Sequence, residues 1–202
     1  MCLTFRKHDA SVPVYSDAEG VSMAARRCAF VVLAASVLAV VAAIGMFALE
    51  AEKADARGAA TARTCSGGRI ELKANEKRTL QLHNRAREQR KLKRLCVHPK
   101  LQKAARAHSA TMIKKDRFFH GSVGARLKRH GYRWKTYGEN IAGGSRRLGT
   151  PESAFKRWMK SRTHRPNILK RGFREVGIGT ATGTFKGNRG YTMYTADFGT
   201  RR

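Results

Sequence analysis

The chain has 202 residues and a formal net charge of +28 at pH 7, from 42 Lys or Arg and 14 Asp or Glu residues. This length leaves room for one ordinary domain and one additional segment, and it excludes an array of several domains. Because 35 of the basic residues and 8 of the acidic ones follow residue 64, almost all of the net charge belongs to the C-terminal part.

The first element in chain order is an apolar run without a charge, Cys28–Leu49. About 20 residues at about 1.5 Å each span the core of a bilayer, so this run predicts a signal peptide or a signal-anchor helix over residues 28–49. Arg26 and Arg27 directly precede it, which predicts that residues 1–27 are a cytoplasmic n-region and that the rest is exported. We therefore expect an extracellular domain, either secreted or held outside the cytoplasmic membrane.

The fate of the apolar run has two readings. Its length favours an uncleaved anchor, which would give the protein a membrane contact through residues 28–49. The small-x-small triplets at 54–56 and 60–62 favour cleavage. Met23 also begins a complete signal sequence, so the true start is either Met1 or Met23.

The next segment, residues 50–69, is small and polar, which predicts a linker before a folded domain over residues 70–202. Cys2 and Cys28 lie before or inside the apolar run, whereas Cys65 and Cys96 would both be exported. An oxidising exterior favours a disulfide between these last two cysteines. We expect it to join the beginning of the domain to its first helix.

Apolar spacing, caps and prolines then predict four helices. They cover about 74–92, a stretch opened by Pro99, Val123–Arg129, and Pro151–Lys160 with Thr150 as N-cap. Two strands follow, at 175–180 and 191–198, joined by a turn at 187–190. Helices followed by a late antiparallel hairpin predict an α+β fold.

Three titratable side chains stand in apolar, glycine-rich surroundings: His120, Glu139 and His164. Partial burial among aromatic residues shifts pKa values and prepares such groups for ligand binding or chemistry. Two imidazoles and a carboxylate are sufficient ligands for Zn²⁺ or another divalent metal, and they also suffice for proton transfer. Each residue has a structural alternative: His120 and His164 as caps of local turns, and Glu139 as a carboxylate that holds the Gly138 loop.

Other motifs narrow the chemistry. The chain has no H-E-x-x-H helix, no G-x-S-x-G elbow and no exported cysteine in a nucleophile context, so no reaction type is supported and we expect a non-enzymatic protein. His108 lies on the apolar side of the helix opened by Pro99 and is predicted to be a buried histidine with its own bonding partner. We expect no specific nucleic-acid reader and a monomeric protein.

The order of the motifs resembles the CAP superfamily of cysteine-rich secretory, antigen 5 and pathogenesis-related 1 proteins, above all its bacterial SCP-like extracellular members. The motifs are F-F-H at 118–120, G-E-N-I-A-G-G at 138–144, S-x-x-H-R-P-N-I-L at 161–169 and a final strand that ends in D-F-G at 197–199. The resemblance implies an α-β-α sandwich with a central antiparallel sheet and a surface cleft that contains His120 and Glu139, with His164 as a further candidate. Animal and plant members carry a second Glu where this chain has Ser161.

Three functions follow from these observations. The first is an extracellular binding module whose His/Glu cleft takes a small or lipid ligand and a divalent metal. The second is a metal-assisted hydrolase that uses the same three side chains. The third is a basic surface protein that binds anionic wall polymers, cell-surface polymers or anionic lipids through its charge, because such a field attracts polyanions without a specific site.

Overall fold

The computed structural model describes residues 60–201. The predictions for residues 1–59, which include the n-region, the signal or anchor helix and most of the linker, lie outside the described residues. Over residues 60–201, no helix combines the length and the apolar character that a membrane crossing needs.

The described residues form six strands and five α-helices, with one turn of 3-10 helix at Arg146–Gly149. The strands are β1 (Ala60–Arg63), β2 (Arg69–Leu72), β3 (Cys96–Val97), β4 (Trp134–Gly144), β5 (Glu175–Phe185) and β6 (Asn188–Arg201). The helices are α1 (Ala74–Glu88), α2 (Pro99–Lys114), α3 (Val123–Arg129), α4 (Pro151–Lys160) and α5 (Arg165–Leu169). The predicted mixed α+β class is confirmed.

The main sheet has the strand order β3-β5-β6-β4. The β4–β6 and β5–β6 pairs are antiparallel, as expected, whereas the two-residue β3 pairs parallel with β5. The chain between β3 and β5 includes several helices, and a connection of that length allows the parallel arrangement. β4 lies at the edge of this sheet, so side chains from both faces can meet along its open side.

Helices pack against both faces of the main sheet, because successive side chains of a strand point to opposite sides. One face, here called the apolar face, is covered by α1, α4 and α5 through a cluster that includes Trp158, Ile178 and Phe198. The other, here called the α2 face, approaches helix α2 so closely that a Cβ atom on Gly177 or Gly179 would collide with the helix backbone. Glycine is needed at these two strand positions for that close approach.

The predicted helices form with small differences in their ends. α1 stops at Glu88 rather than near residue 92, and Lys91 just beyond it takes a positive φ of 55°. α4 begins as predicted, because the Thr150 hydroxyl accepts a hydrogen bond from the Ser153 N–H at 3.2 Å. α2 buries the predicted apolar side, which includes Leu101 and Met112.

The terminal hairpin is longer than the sequence predicts. β5 extends to Phe185 and β6 starts at Asn188, so the turn consists of Lys186 and Gly187 instead of residues 187–190. Both turn residues have positive φ, at 46° and 76°. This conformation suits the twist of a two-residue hairpin.

Part of the predicted linker is folded. β1 and β2 pair as an antiparallel hairpin over residues 60–72, and the predicted disulfide between Cys65 and Cys96 is present, with a Cα–Cα distance of 5.0 Å. The Cys65 N–H also donates to the Val97 carbonyl at 3.0 Å. The described fold therefore includes residues before 70, and the disulfide ties this hairpin to β3 beyond the end of the first helix.

Candidate functional site

The candidate site is built around Glu139, which lies on the edge strand β4 and points to the α2 face. The connection between α2 and α3 places His120 next to it, with 2.7 Å between His120 Nδ1 and Glu139 Oε1. The Glu139 side chain is only 2% exposed, whereas that of His120 is 50% exposed. A buried carboxylate thus holds the inner nitrogen of an accessible imidazole, and this bond leaves Nε2 as the unprotonated nitrogen of the neutral ring.

A buried guanidinium, Arg126 of α3, occupies the other side of this carboxylate. Its Nη2 contacts Glu139 Oε2, and its Nη1 donates to the His120 carbonyl at 2.9 Å. Both oxygens of Glu139 therefore have partners, and the backbone of His120 is held as well as its ring. Arg126 was not among the predicted site residues. The available signal was its position three residues after Val123, because residues at this spacing lie on the same side of a helix.

A second carboxyl group, Asp197 of β6, lies directly opposite Glu139 in the strand register. It is fully buried, it lies 3.5 Å from Arg126 Nη2, and neither of its oxygens has a hydrogen-bond partner among the described residues. Burial, reinforced by the neighbouring charge of Glu139, raises the pKa of Asp197 well above its ordinary value. These surroundings favour the neutral form of the Asp197 carboxyl group over its ionised form.

The same surroundings act on Glu139. Burial raises its pKa to about 7, and the charge of Arg126 acts in the opposite direction. Two carboxyl groups opposite each other on paired strands are costly to ionise together, and a single guanidinium, Arg126, lies beside both. The cluster of Arg126, Glu139 and Asp197 lies beside the accessible ring of His120.

His108 of α2 forms the floor beside this cluster. Its Nε2 bonds to the Phe119 carbonyl at 2.8 Å and lies 3.8 Å from Glu139 Oε2, while the ring packs edge-on against Phe119. Burial lowers its pKa to about 4, with Arg126 adding to the effect, so His108 is neutral. The prediction of a buried histidine with its own partner is confirmed, and its role is to fix the segment that carries His120.

His164, the third predicted residue, lies at the start of α5 on the apolar face. Its carbonyl accepts from Asn140 Nδ2 at 3.0 Å. Asn167 of α5 also binds β4, because its Nδ2 donates to Asn140 Oδ1 at 2.9 Å and to the Glu139 carbonyl at 3.2 Å. The His164 ring bonds through Nδ1 to the Ser161 hydroxyl at 2.7 Å. Burial lowers the pKa of His164, and His120 contributes to the lowering.

The three predicted residues are therefore arranged around one strand edge, but they are not equally connected. His120 and Glu139 form a direct hydrogen bond, whereas His164 reaches β4 only through its backbone and through Asn140. A Cβ atom on Gly138 would come within 2.7 Å of Asn167 Oδ1, so the glycine of the G-E-N motif allows α5 to approach the strand this closely.

The expected metal site at His120, Glu139 and His164 stays a prediction. Within residues 60–201, no group of three or more His, Cys, Asp and Glu side chains is arranged to hold a metal ion. The oxygens of Glu139 are engaged by His120 and by a fixed cation, Arg126, which leaves two imidazole nitrogens. An open zinc site uses three protein ligands.

Arg87 of α1 supports the site from a distance. Its fully buried guanidinium donates to the carbonyls of Lys93, Ile168, Lys170 and Phe173 at 2.8 to 3.1 Å. The last three of these bonds satisfy backbone oxygens at the end of α5 and in the loop that follows it. Arg87 thus fixes the segment that carries His164, without contacting His164 itself.

This combination of a helix-covered sheet and a buried Glu that orients a half-exposed His at the edge strand defines a CAP domain. The chain belongs to the cysteine-rich secretory protein family, CAP, whose pattern matches residues 80–198. The match covers the segment from within α1 to the end of the D-F motif on β6, and it includes every residue of the candidate site.

Similar proteins occur in several bacteria. The chain is 41% identical over 113 residues to the uncharacterized protein YkwD of Bacillus subtilis (strain 168), which covers 54% of this chain and 43% of that protein. The chain thus spans less than half of the length of this relative.

Two solved structures share the fold. An extracellular protein containing a SCP domain from Bacillus anthracis is 27% identical, with a TM-score of 0.54 over 63% of this chain and 40% of that one. An outer surface protein from Borrelia burgdorferi is 17% identical, with a TM-score of 0.56 over 66% of this chain and 97% of that one.

Proposed function

We propose that this protein is an extracellular CAP-domain binding module that holds a small or lipid ligand at His120. The observation that carries the proposal is the bond between buried Glu139 and half-exposed His120. Because Glu139 occupies Nδ1, the ring offers Nε2 to the outside as a hydrogen-bond acceptor in a fixed direction. A side chain held this way binds a ligand hydroxyl at a lower entropic cost than a free histidine does.

The surroundings favour a ligand with an apolar body. Phe118, two residues before His120, is 47% exposed, and Tyr137, two residues before Glu139 on β4, is 40% exposed. Exposed large apolar side chains beside a polar group are typical of ligand-binding surfaces. We therefore propose an amphiphile whose hydroxyl donates to His120 Nε2 and whose chain or ring covers these aromatic groups.

Export is the second part of the proposal. It is supported by the apolar run Cys28–Leu49, by the disulfide between Cys65 and Cys96, and by the likeness to an extracellular protein of Bacillus anthracis. The intact mass of the exported protein tests this part of the proposal. It shows whether the run is retained as an anchor or removed, and it shows whether the disulfide has formed.

Matched small amphiphiles test the binding site. The full-length protein in a non-ionic detergent is titrated with 1-hexanol, which has one hydroxyl donor, and with an ether of the same size, which has none. NMR shifts of His120 and of the Phe118 ring provide the readout. We expect 1-hexanol to bind several-fold more tightly than the ether, and His120→Ala to abolish this difference.

His130→Ala is the matched control, because His130 lies at the end of α3 and makes no side-chain hydrogen bond among the described residues. It should leave the preference for the alcohol unchanged. Equal affinity for both probes in the native protein, or an unchanged preference in His120→Ala, would remove His120 from the proposed site.

A further inference from the structure

A pocket lies on the α2 face apart from the candidate site of His120 and Glu139. It has a volume of about 520 Å³ and lies where α2 begins, where α3 turns into β4, and where β6 ends. Its lining residues are His98, Lys100, Gly131, Tyr132, Arg133 and Arg201. None of them belongs to the candidate site described above, and none is acidic.

Positive charge in this pocket is only partly compensated. Arg201 donates from Nε to Glu175 Oε1 at 2.8 Å, yet its side chain remains 56% exposed. The other oxygen of Glu175 accepts from the Tyr132 hydroxyl at 2.7 Å. Lys100 and Arg133 are exposed and form no ion pair with any of residues 60–201. One buried carboxylate thus faces three cations, and its own oxygens are already engaged.

A neutral hydrogen-bond donor completes the pocket. The Lys100 N–H donates to His98 Nδ1 at 3.2 Å, so in the neutral ring Nε2 carries the proton. Burial lowers the pKa of His98; Glu175 opposes this effect, and Arg201 and Lys100 add to it. The ring is fixed edge-on against Tyr132, with 4.9 Å between the centroids.

The turn between α3 and β4 lies against the lysine. Gly131 has a φ of 79°, and a Cβ atom there would lie 3.5 Å from Lys100 Cε and Nζ. The Lys100 side chain therefore lies along the glycine of this turn, close to the backbone that leads to Arg133. Two separate segments of the chain thus present their cations to the same cavity.

We propose that this pocket binds a phosphate group, either as a free phosphate or as part of a phosphodiester polymer. A free phosphate carries about 1.5 to 2 negative charges at pH 7, and a phosphodiester polymer carries one negative charge on every unit, so either brings negative charge and acceptor oxygens to these cations and to the His98 N–H donor. Arginine forks recognise phosphate through paired hydrogen bonds, and lysine adds a point charge. The pocket acts independently of the His120 cleft.

Calorimetry with defined probes tests the proposal. Pyrophosphate is titrated into the full-length protein in a non-ionic detergent at about 0.15 M NaCl, which screens exposed charges beyond about 8 Å. We expect saturable binding. The double substitution Lys100→Gln with Arg133→Gln should weaken it at least tenfold. The matched control removes the same charge from exposed positions of α4 with Lys156→Gln and Lys160→Gln, and it should change the affinity less than twofold.

Two further measurements locate the ligand and identify its source. Pyrophosphate should shift the imidazole ¹⁵N resonances of His98 and leave those of His120 in place. Poly(glycerol phosphate) and poly-glutamate are then compared at equal charge. A preference for the phosphate polymer over pyrophosphate identifies a phosphodiester chain as the source, and the reverse preference identifies a free phosphate; both support the pocket.

Several results would overturn the proposal. They are the absence of saturable binding to both phosphate probes, an equal loss of affinity in the α4 control, and poly-glutamate binding as tight as that of the better of the two phosphate probes. Any of these would mean that the overall field of the basic chain, and not this pocket, attracts anions. The charge-conserving double variant Lys100→Arg with Arg133→Lys should retain most of the affinity. This result would show that the glutamine variant loses affinity through its missing charges and not through unfolding.

Discussion

The two faces of the main sheet are built from the same strands but differ in chemistry. On β6, Ala196 and Phe198 point to the apolar face and pack against α1, α4 and α5. Thr195 and Asp197, one residue away in each case, point to the α2 face, where a serine of α2 bonds to Thr195 and Arg126 lies beside Asp197. One face therefore stabilises the fold mainly by apolar burial, while the other also buries the charges that form the candidate site.

This difference shows why the site tolerates little change. Removing a buried apolar group costs its transfer free energy and leaves a cavity, but removing one member of a buried charge cluster leaves the remaining charge without a partner. On the α2 face, stability and site geometry therefore depend on the same few side chains.

The largest expected effect comes from Arg126→Met, which keeps a long apolar side chain but removes the only guanidinium that contacts Glu139 among the described residues. We expect the free energy of unfolding to fall by about 3 to 5 kcal/mol, the range for breaking a buried ion pair. Urea denaturation measures it. Arg129→Met, on the exposed side of α3, should cost no more than about 0.5 kcal/mol.

A double variant makes the test specific to the charge. If Glu139→Gln is added to Arg126→Met, the buried negative charge disappears, so the double variant should lose less than the sum of the two single losses. Strict additivity would mean that Arg126 contributes through packing alone.

The next effect is a loss of stability in acid, and it comes from one histidine on each face. Burial lowers the pKa of His83, on the apolar face, and of His108, on the α2 face, to about 4 from an ordinary value of 6.5. As the pH falls from 6.5 to about 4, the unfolded chain takes up these protons and the folded protein does not. The free energy of unfolding should therefore fall, by up to about 1.4 kcal/mol per pH unit for each histidine.

Substitutions by glutamine separate the two contributions. His83→Gln and His108→Gln cannot titrate in this window, so each should flatten the pH dependence by about one proton when urea unfolding is followed between about pH 4.5 and 6.5. If neither substitution changes the slope of the free energy of unfolding against pH, then neither ring stays neutral in the folded state.

A smaller effect with the opposite sign is expected at Asp197. Its raised pKa means that the folded protein keeps a proton that the unfolded chain releases as the pH rises above about 4, so this group lowers stability as the pH rises. Asp197→Asn keeps the size of the side chain but cannot titrate, and it should be within about 1 kcal/mol of the native protein at pH 4. Its relative stability should increase towards pH 8.

The exposed Glu71→Gln is the control for this series and should show no such trend. If Asp197→Asn is instead clearly less stable than the native protein at pH 8, Asp197 is ionised and pairs with Arg126, and its pKa is not raised.

The sequence predicted the elements whose signals are local. Pro99, Thr150 and Pro151 mark helix starts that the structure confirms, and the cysteine count and compartment predicted the disulfide. Strand β4 was not predicted, because its residues Gly138, Gly143 and Gly144 have low strand propensity. These positions are glycines because other groups, such as Asn167 at Gly138, pack too closely for a side chain. The hairpin β1–β2 was hidden in a segment with the composition of a linker.

The candidate site could be predicted only in part, for a related reason. His120 and Glu139 stand out by their aromatic and glycine neighbours, and the family resemblance places them together. Arg126 looks like one of several basic residues in a short helix, and Asp197 looks like an ordinary polar residue of a strand. Their role depends on the register of β4 with β6 and on the packing of α3, which no local pattern encodes.

The most direct test of this account is the tautomer of His120, measured at neutral pH by long-range ¹H–¹⁵N NMR of the imidazole rings. If buried Glu139 orients the ring, Nδ1 carries the proton and Nε2 is unprotonated, whereas His130, without such a partner in the described structure, shows the ordinary mixture dominated by the Nε2–H form. A His120 ring protonated mainly on Nε2 would contradict the Glu139–His120 bond on which the proposed ligand site depends.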